Sequence, residues 1–151
     1  MSSPTPVLDP RHTALLVMDF QRGVVDRMPG LDPLLTRVQE AVADVRDHGG
    51  TIGYVRVAFT EADWAAMSTT DLDRQLRDRG IDTLVLAGIS TSGVVLSTVI
   101  EAADRDYRLY VLSDGTEDRD AETRDILLGK VFPRRAQVID TAGLRARLQG
   151  T

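Results

Sequence analysis

Hydrophobic positions fall into two rhythms along this chain. Thr13 to Met18 (TALLVM) is a short, continuous apolar run, as expected of a strand covered on both faces. Leu31 to His48 then places apolar residues at Leu31, Leu34, Leu35, Val38, Ala41, Val42 and Val45, which is helical spacing. Asp32-Pro33 marks its start and Gly49-Gly50 its end. Thr51 to Val57 is β-branched and aromatic, a second strand. An irregular piece, Ala58 to Thr70, separates it from a short helix over Asp71 to Arg79. Thr83 to Ala87 reads as a third strand, Gly93 to Asp104 as a helix and Leu109 to Leu112 as a fourth strand. A helix over Ala121 to Lys130, a strand over Gln137 to Ile139 and a helix over Ala142 to Leu148 complete the pattern.

Alternating strands and helices imply right-handed crossovers and a parallel sheet with helices on both faces. The expected fold class is therefore α/β: a three-layer αβα, Rossmann-like domain over residues 1–151, with five strands in the order 2-1-3-4-5. The topological switch point of that order lies between the first and third strands. Ligands of such sheets bind just beyond the carboxyl ends there. Two segments meet at that crevice, Asp19-Phe20-Gln21-Arg22 and Gly88 to Val94.

Composition narrows the chemistry. The 151 residues are 42% apolar and 27% charged, ordinary for a soluble protein whose core buries roughly 70% of the unfolded surface. A net charge of −5 argues against a general affinity for nucleic acid. No apolar run approaches the roughly 20 residues of a membrane span. The opening MSSPTPVLDPRH has no basic segment followed by an apolar one, so a cytoplasmic protein is expected. There is no cysteine, hence no disulfide and no thiolate to bind metal or attack a carbonyl. His12 and His48 lie far apart in polar surroundings, and neither a metal nor a cofactor is expected.

Asp19 is the first candidate. It ends a buried strand beside apolar side chains, where partial desolvation disfavours its charged form and suits it to general acid or base work. It reads also as a turn cap or an acceptor of backbone N–H groups. In LVLAGISTSGVV, Leu84 to Val95, Gly88 permits a sharp exit from the strand, and Thr91, Ser92 and Gly93 lead into a helix. The first N–H groups of that helix can hold an anion or a substrate oxygen. Alternatively, Thr91 or Ser92 simply caps it. A serine nucleophile at Ser90 or Ser92 would need a base, and neither histidine is placed to be one. Trp64, the one tryptophan, either covers a ligand or buries itself in a dimer contact or under its own loop. Asp114 is accounted for by turn chemistry, and the charged runs Asp104 to Arg108 and Glu117 to Asp125 read as solvated helix ends. Dinucleotide, phosphate-loop and GxSxG signatures are missing.

The segments ALLVMDFQRGVV and IDTLVLAGISTSGVVLSTVIEAADRDYRLYVLSD resemble the isochorismatase-like (cysteine hydrolase) superfamily, across residues 9 to 57 and 69 to 140. The resemblance implies a catalytic trio of aspartate, lysine and cysteine. Asp19 and Gln21 match the aspartate's D-x-Q setting. The cysteine position, six residues beyond Gly88, is Val94, with Val95 and Thr98 in the family spacing. The lysine belongs on an extra strand just before TTDLDRQL (Thr69 to Leu76); Ala58 to Thr70 carries no lysine and is too short for that strand. The family's sheet has six strands, and the deletion leaves five. A cis peptide within the Gly88 to Thr91 turn is also implied, with Ser90–Thr91 the bond expected.

Two functions are compatible with these residues. In the first, Asp19 transfers a proton on a small organic metabolite, in a hydrolysis, isomerisation or cyclisation without a covalent intermediate. True isochorismatases, by the resemblance, likewise do without the cysteine. Phe20, Gln21, Trp64, Ser90, Thr91, Ser92 and Val94 would contact the substrate, Val94 favouring an apolar portion. In the second, the chain is a catalytically silent remnant that binds a metabolite or a protein partner. A homo-oligomer, a dimer in the simplest case, and a role in specialised metabolism accompany the first.

Overall fold

The computed structural model describes residues 6–20, 26, 28–56 and 71–150. Strands β1 (Thr13–Met18), β2 (Thr51–Val55), β3 (Thr83–Ile89), β4 (Arg108–Glu117) and β5 (Gln137–Ile139) form a five-stranded sheet in the order β2-β1-β3-β4-β5. Every neighbouring pair is parallel. The helices are α1 (Asp32–Asp47), α2 (Leu72–Asp78), α3 (Leu96–Asp104), α4 (Ala121–Ile126) and α5 (Thr141–Gln149). None of the described helices is long and apolar enough to cross a membrane.

Strand alternation sorts the core into two layers. Ala14, Leu16, Met18, Leu84, Leu86 and Val111 face one side, under Leu76 of α2, Val99 and Ala102 of α3, and Phe132. Leu15, Val17, Val85, Ala87, Tyr110 and Leu112 face the other, under Val38, Ala41 and Val45 of α1 and Leu144 and Leu148 of α5. Strands β1 and β3 are buried along their whole length, which is why both read as unbroken apolar runs. The connection through α1 thus crosses one face and that through α2 the other. This places the switch point between β1 and β3.

Element boundaries differ from the pattern in the sequence by a residue or so at most ends; β2, expected to Val57, stops at Val55, and four further differences bear on the site or its supports. Strand β3 continues through Gly88 and Ile89. Strand β4 runs on from Leu112 to Glu117 through a bulge: Leu86 pairs with Val111 but Gly88 with Thr116. The polar stretch Ser113 to Glu117 carries no strand periodicity, so its return to the sheet is invisible in the pattern. Gly115 makes it feasible, because a Cβ there would stand 2.8 Å from Leu112 Cβ and 3.3 Å from Ala87 Cβ. Arg124 holds the bulge from outside, donating from Nη2 to Ser113 O at 3.0 Å and from Nε to Thr116 O at 3.4 Å. The helix after β3 opens with a wide π turn, Thr91–Val95, in which Gly93 is non-helical (φ −100°, ψ −107°). The helix expected over Ala121 to Lys130 keeps α geometry only to Ile126, passing into a wide turn, Leu127–Val131, that contains Gly129.

Candidate functional site at the carboxyl ends of β1, β3 and β4

Asp19 follows the last residue of β1. It is half-buried, and its backbone is left-handed (φ 61°), which is uncommon outside glycine. Its N–H donates to Val55 O at 2.8 Å, tying the turn to the end of β2. Left-handed geometry swings the chain sharply out of the sheet at this residue, and the Asp19 side chain lines a cleft. Phe20 is half-buried and packs toward α1 on one side and against a cluster of Leu31, Leu34 and Ile89 on the other.

From β3, Gly88 brings the chain close to β1: a Cβ there would lie 2.9 Å from Met18 O and 3.1 Å from Val95 Cγ2. The cis peptide joins Ile89 and Ser90, one bond earlier than the Ser90–Thr91 position that the resemblance implied. Strand β3 ends at Ile89, so the cis bond falls where the turn begins. Thr91 is fully buried, and its Oγ1 hydrogen-bonds Thr116 Oγ1 of β4 at 2.8 Å. Ser92 is exposed. Its N–H donates to Asp118 Oδ2 at 2.9 Å, and its hydroxyl donates to the same oxygen at 2.5 Å. The cap of this helix is thus the carboxylate of Asp118, the residue after β4, in place of a Thr91 or Ser92 side chain. One of the N–H groups that the sequence offers for an anion is occupied by it.

Asp118 comes within reach because the bulge in β4 lets the strand continue beside β3 as far as Glu117. Asp118 Oδ1 also accepts from Asp120 N–H at 3.1 Å. Burial pushes this carboxyl up. The Ser92 hydroxyl and N–H and the N–H groups of Asp120 and Arg119 outweigh that effect and hold it below the ordinary carboxylate value. Its neighbour Glu117 pairs with Arg124 Nε at 3.2 Å. These two acidic residues, read from the sequence as part of a solvated helix end, instead line the mouth of the sheet. Asp114, ascribed from the sequence to turn chemistry, lies instead within β4, and its carboxylate accepts from Thr141 N–H at 3.0 Å and Thr141 Oγ1 at 2.8 Å at the start of α5.

The cleft that results measures about 320 Å³. Its described lining is Asp19, Met28, Ile89, Ser90, Ser92, Asp118 and Arg119. A second hollow of about 350 Å³ adjoins it through Met28, Asp118 and Arg119 and extends over Pro29 to Leu31. Three of the expected site residues, Asp19, Ser90 and Ser92, are therefore brought together. Thr91 lies beneath, bonded to β4. Val94, 4% exposed, packs into the core with Val95 and Val99 and is not among the described lining residues. Gln21 and Trp64 lie outside the described residues, as does the segment 58–70. Sequence reasoning missed Asp118 and Arg119. The one signal for them is Gly115 in SDGTED, a glycine where a strand might bulge.

Comparison with known proteins agrees with this architecture. The family model described as the isochorismatase domain matches residues 59–143. The uncharacterized isochorismatase family protein YwoC of Bacillus subtilis is 29% identical, in an alignment covering 84% of this chain and 89% of that protein. YecD of Escherichia coli O157:H7, also an uncharacterized isochorismatase family protein, is 29% identical over 87% of this chain and 93% of its own. An isochorismatase family protein from Burkholderia thailandensis superposes with a TM-score of 0.85 at 26% identity, covering 96% of this chain and 99% of that one. A cysteine hydrolase from Pseudomonas syringae pv. phaseolicola shares the fold, with a TM-score of 0.84 at 20% identity over 99% of both chains. Strand order, the cleft at the switch point and these matches together make the chain a member of the isochorismatase family.

Proposed function

We propose that the chain acts on a small organic metabolite by non-covalent general acid/base catalysis through Asp19, in a hydrolysis, isomerisation or cyclisation. Membership of the isochorismatase family supports hydrolase-like chemistry on a small molecule. The observation that carries the reading is the position of Asp19: half-buried, at the carboxyl end of β1, and lining a cleft sized for a metabolite. A chain without cysteine has no thiol to form an acyl-enzyme, and the valine at position 94 is chemically inert. Proton transfer by a placed carboxylate needs no such intermediate and contributes about 10²- to 10⁴-fold. Ser90 and Ser92 would contact the substrate from the turn after β3, joined by Phe20, Gln21 and Trp64, while Thr91 and Val94, buried beneath, would support the floor without touching it. The same reading takes residues 1–151 as one domain of a cytoplasmic homodimer.

Core packing of Val94 and occupation of the Ser92 N–H by Asp118 favour a second reading, a family remnant that binds a metabolite without turning it over. One experiment separates the two. The protein and its Asp19→Asn variant are each incubated with a pooled metabolite extract, and consumption is followed by mass spectrometry. The catalytic reading expects a metabolite consumed by the wild type and about 10²- to 10⁴-fold more slowly by the variant. Metabolites retained by both proteins and consumed by neither would establish the binding reading.

A further inference from the structure

The cleft's own hydrogen bonds point to what kind of ligand group it accepts. A serine hydroxyl has one proton to give and two lone pairs to offer. The Ser92 proton is committed to Asp118 Oδ2 at 2.5 Å, and the Ser92 N–H is committed to the same oxygen at 2.9 Å. Asp118 is itself held, since Oδ1 accepts from Asp120 N–H and the bulge in β4 fixes the strand that carries it. Ser92 is exposed and lines the cleft with Asp19. What its hydroxyl can present to an occupant is therefore lone pairs alone.

We propose that Asp118 is a positioning residue that makes Ser92 a hydrogen-bond acceptor toward the cleft, so that the site selects a ligand presenting an N–H or O–H group at that point. The inference rests on reading this cleft as the substrate site of Asp19. A ligand with an acceptor atom there meets two sets of lone pairs and forgoes the hydrogen bond that a donor would make. Arg119, exposed, also lines the cleft and is the basic residue among its described lining. A ligand governed by Arg119 would show the opposite preference, for an acceptor or an anion.

Pyrazole and isoxazole test this. They are five-membered rings of one shape, the first carrying N–H where the second carries a ring oxygen. Each is titrated into ¹⁵N-labelled protein and followed through the amide resonances of Ser92 and Asp118. Wild type is expected to bind pyrazole on the order of ten-fold more tightly than isoxazole, the factor for one hydrogen bond. Ser92→Thr keeps the preference, and Ser92→Ala abolishes it. Asp118→Ala removes the acceptor of the Ser92 hydroxyl, which frees the serine proton and shifts the preference toward isoxazole. Equal binding to the wild type, tighter isoxazole binding, no shift of these resonances with either ring, or a preference that survives in Ser92→Ala would each overturn the proposal. The ring comparison reads binding at Ser92 in the wild type and its Ser92 variants, and the turnover assay reads consumption through Asp19, so the two can fail independently.

Discussion

Asp19 holds a backbone conformation that costs an ordinary L-residue roughly 1–2 kcal/mol and that Asn tolerates nearly as well as Asp. Asn is for that reason the informative replacement: it removes the ionisable group while leaving the turn. Asp118 offers a different residue-scale test. Its carboxyl lies below its unfolded-state value, near 3.9, because the Ser92 and backbone donors outweigh burial. A depressed carboxylate contributes stability that is complete above the unfolded value and disappears as pH falls through the folded one. The stability gap between the wild type and Asp118→Asn, read from urea unfolding, should be constant from about pH 5 to 8 and narrow below about pH 4. A gap that widened on acidification would contradict the hydrogen bonds assigned to this group.

At the scale of elements, the site depends on how β4 rejoins β3. The run Thr83 to Ala87 and the run Thr13 to Met18 declare themselves as buried strands, because apolar burial on both faces is written residue by residue. The bulge from Leu112 to Gly115 is not written that way. It is decided by contacts distant in sequence, the packing of Gly115 against Ala87 and the grip of Arg124 on Ser113 and Thr116. Hence Asp19, Ser90 and Ser92 could be named from the sequence and Asp118 could not. The buried Thr91–Thr116 hydrogen bond joins the turn after β3 to the far side of this bulge. Thr91→Val should cost about 1–3 kcal/mol, because it strands a hydroxyl in a site without water. Chemical denaturation measures that loss. The Ser92 and Asp118 amide resonances should shift together in the variant, since the bond positions both.

Across the whole molecule, the 2-1-3-4-5 strand order is legible in the sequence and fixes where crossovers change face, and the cleft lies there, between the ends of β1 and β3. The resemblance to a cysteine hydrolase family added which acid to watch and which position lacks its thiol. It placed the cis peptide in the right turn, Gly88 to Thr91, and one bond late within it. Val94 illustrates the limit of motif arithmetic. Counting lands on it, yet its side chain belongs to the hydrophobic layer that α3 closes. What remains at the mouth of the sheet is Asp19 at the end of β1 together with Glu117 and Asp118 at the end of β4, Glu117 paired with Arg124 and Asp118 accepting from Ser92. The most direct measurement is the pH dependence of kcat/KM for the consumed metabolite, in the wild type and in Asp19→Asn. The account predicts an ionisation in the wild-type profile that vanishes in the variant together with most of the rate. A variant with the same profile and the same rate would contradict it.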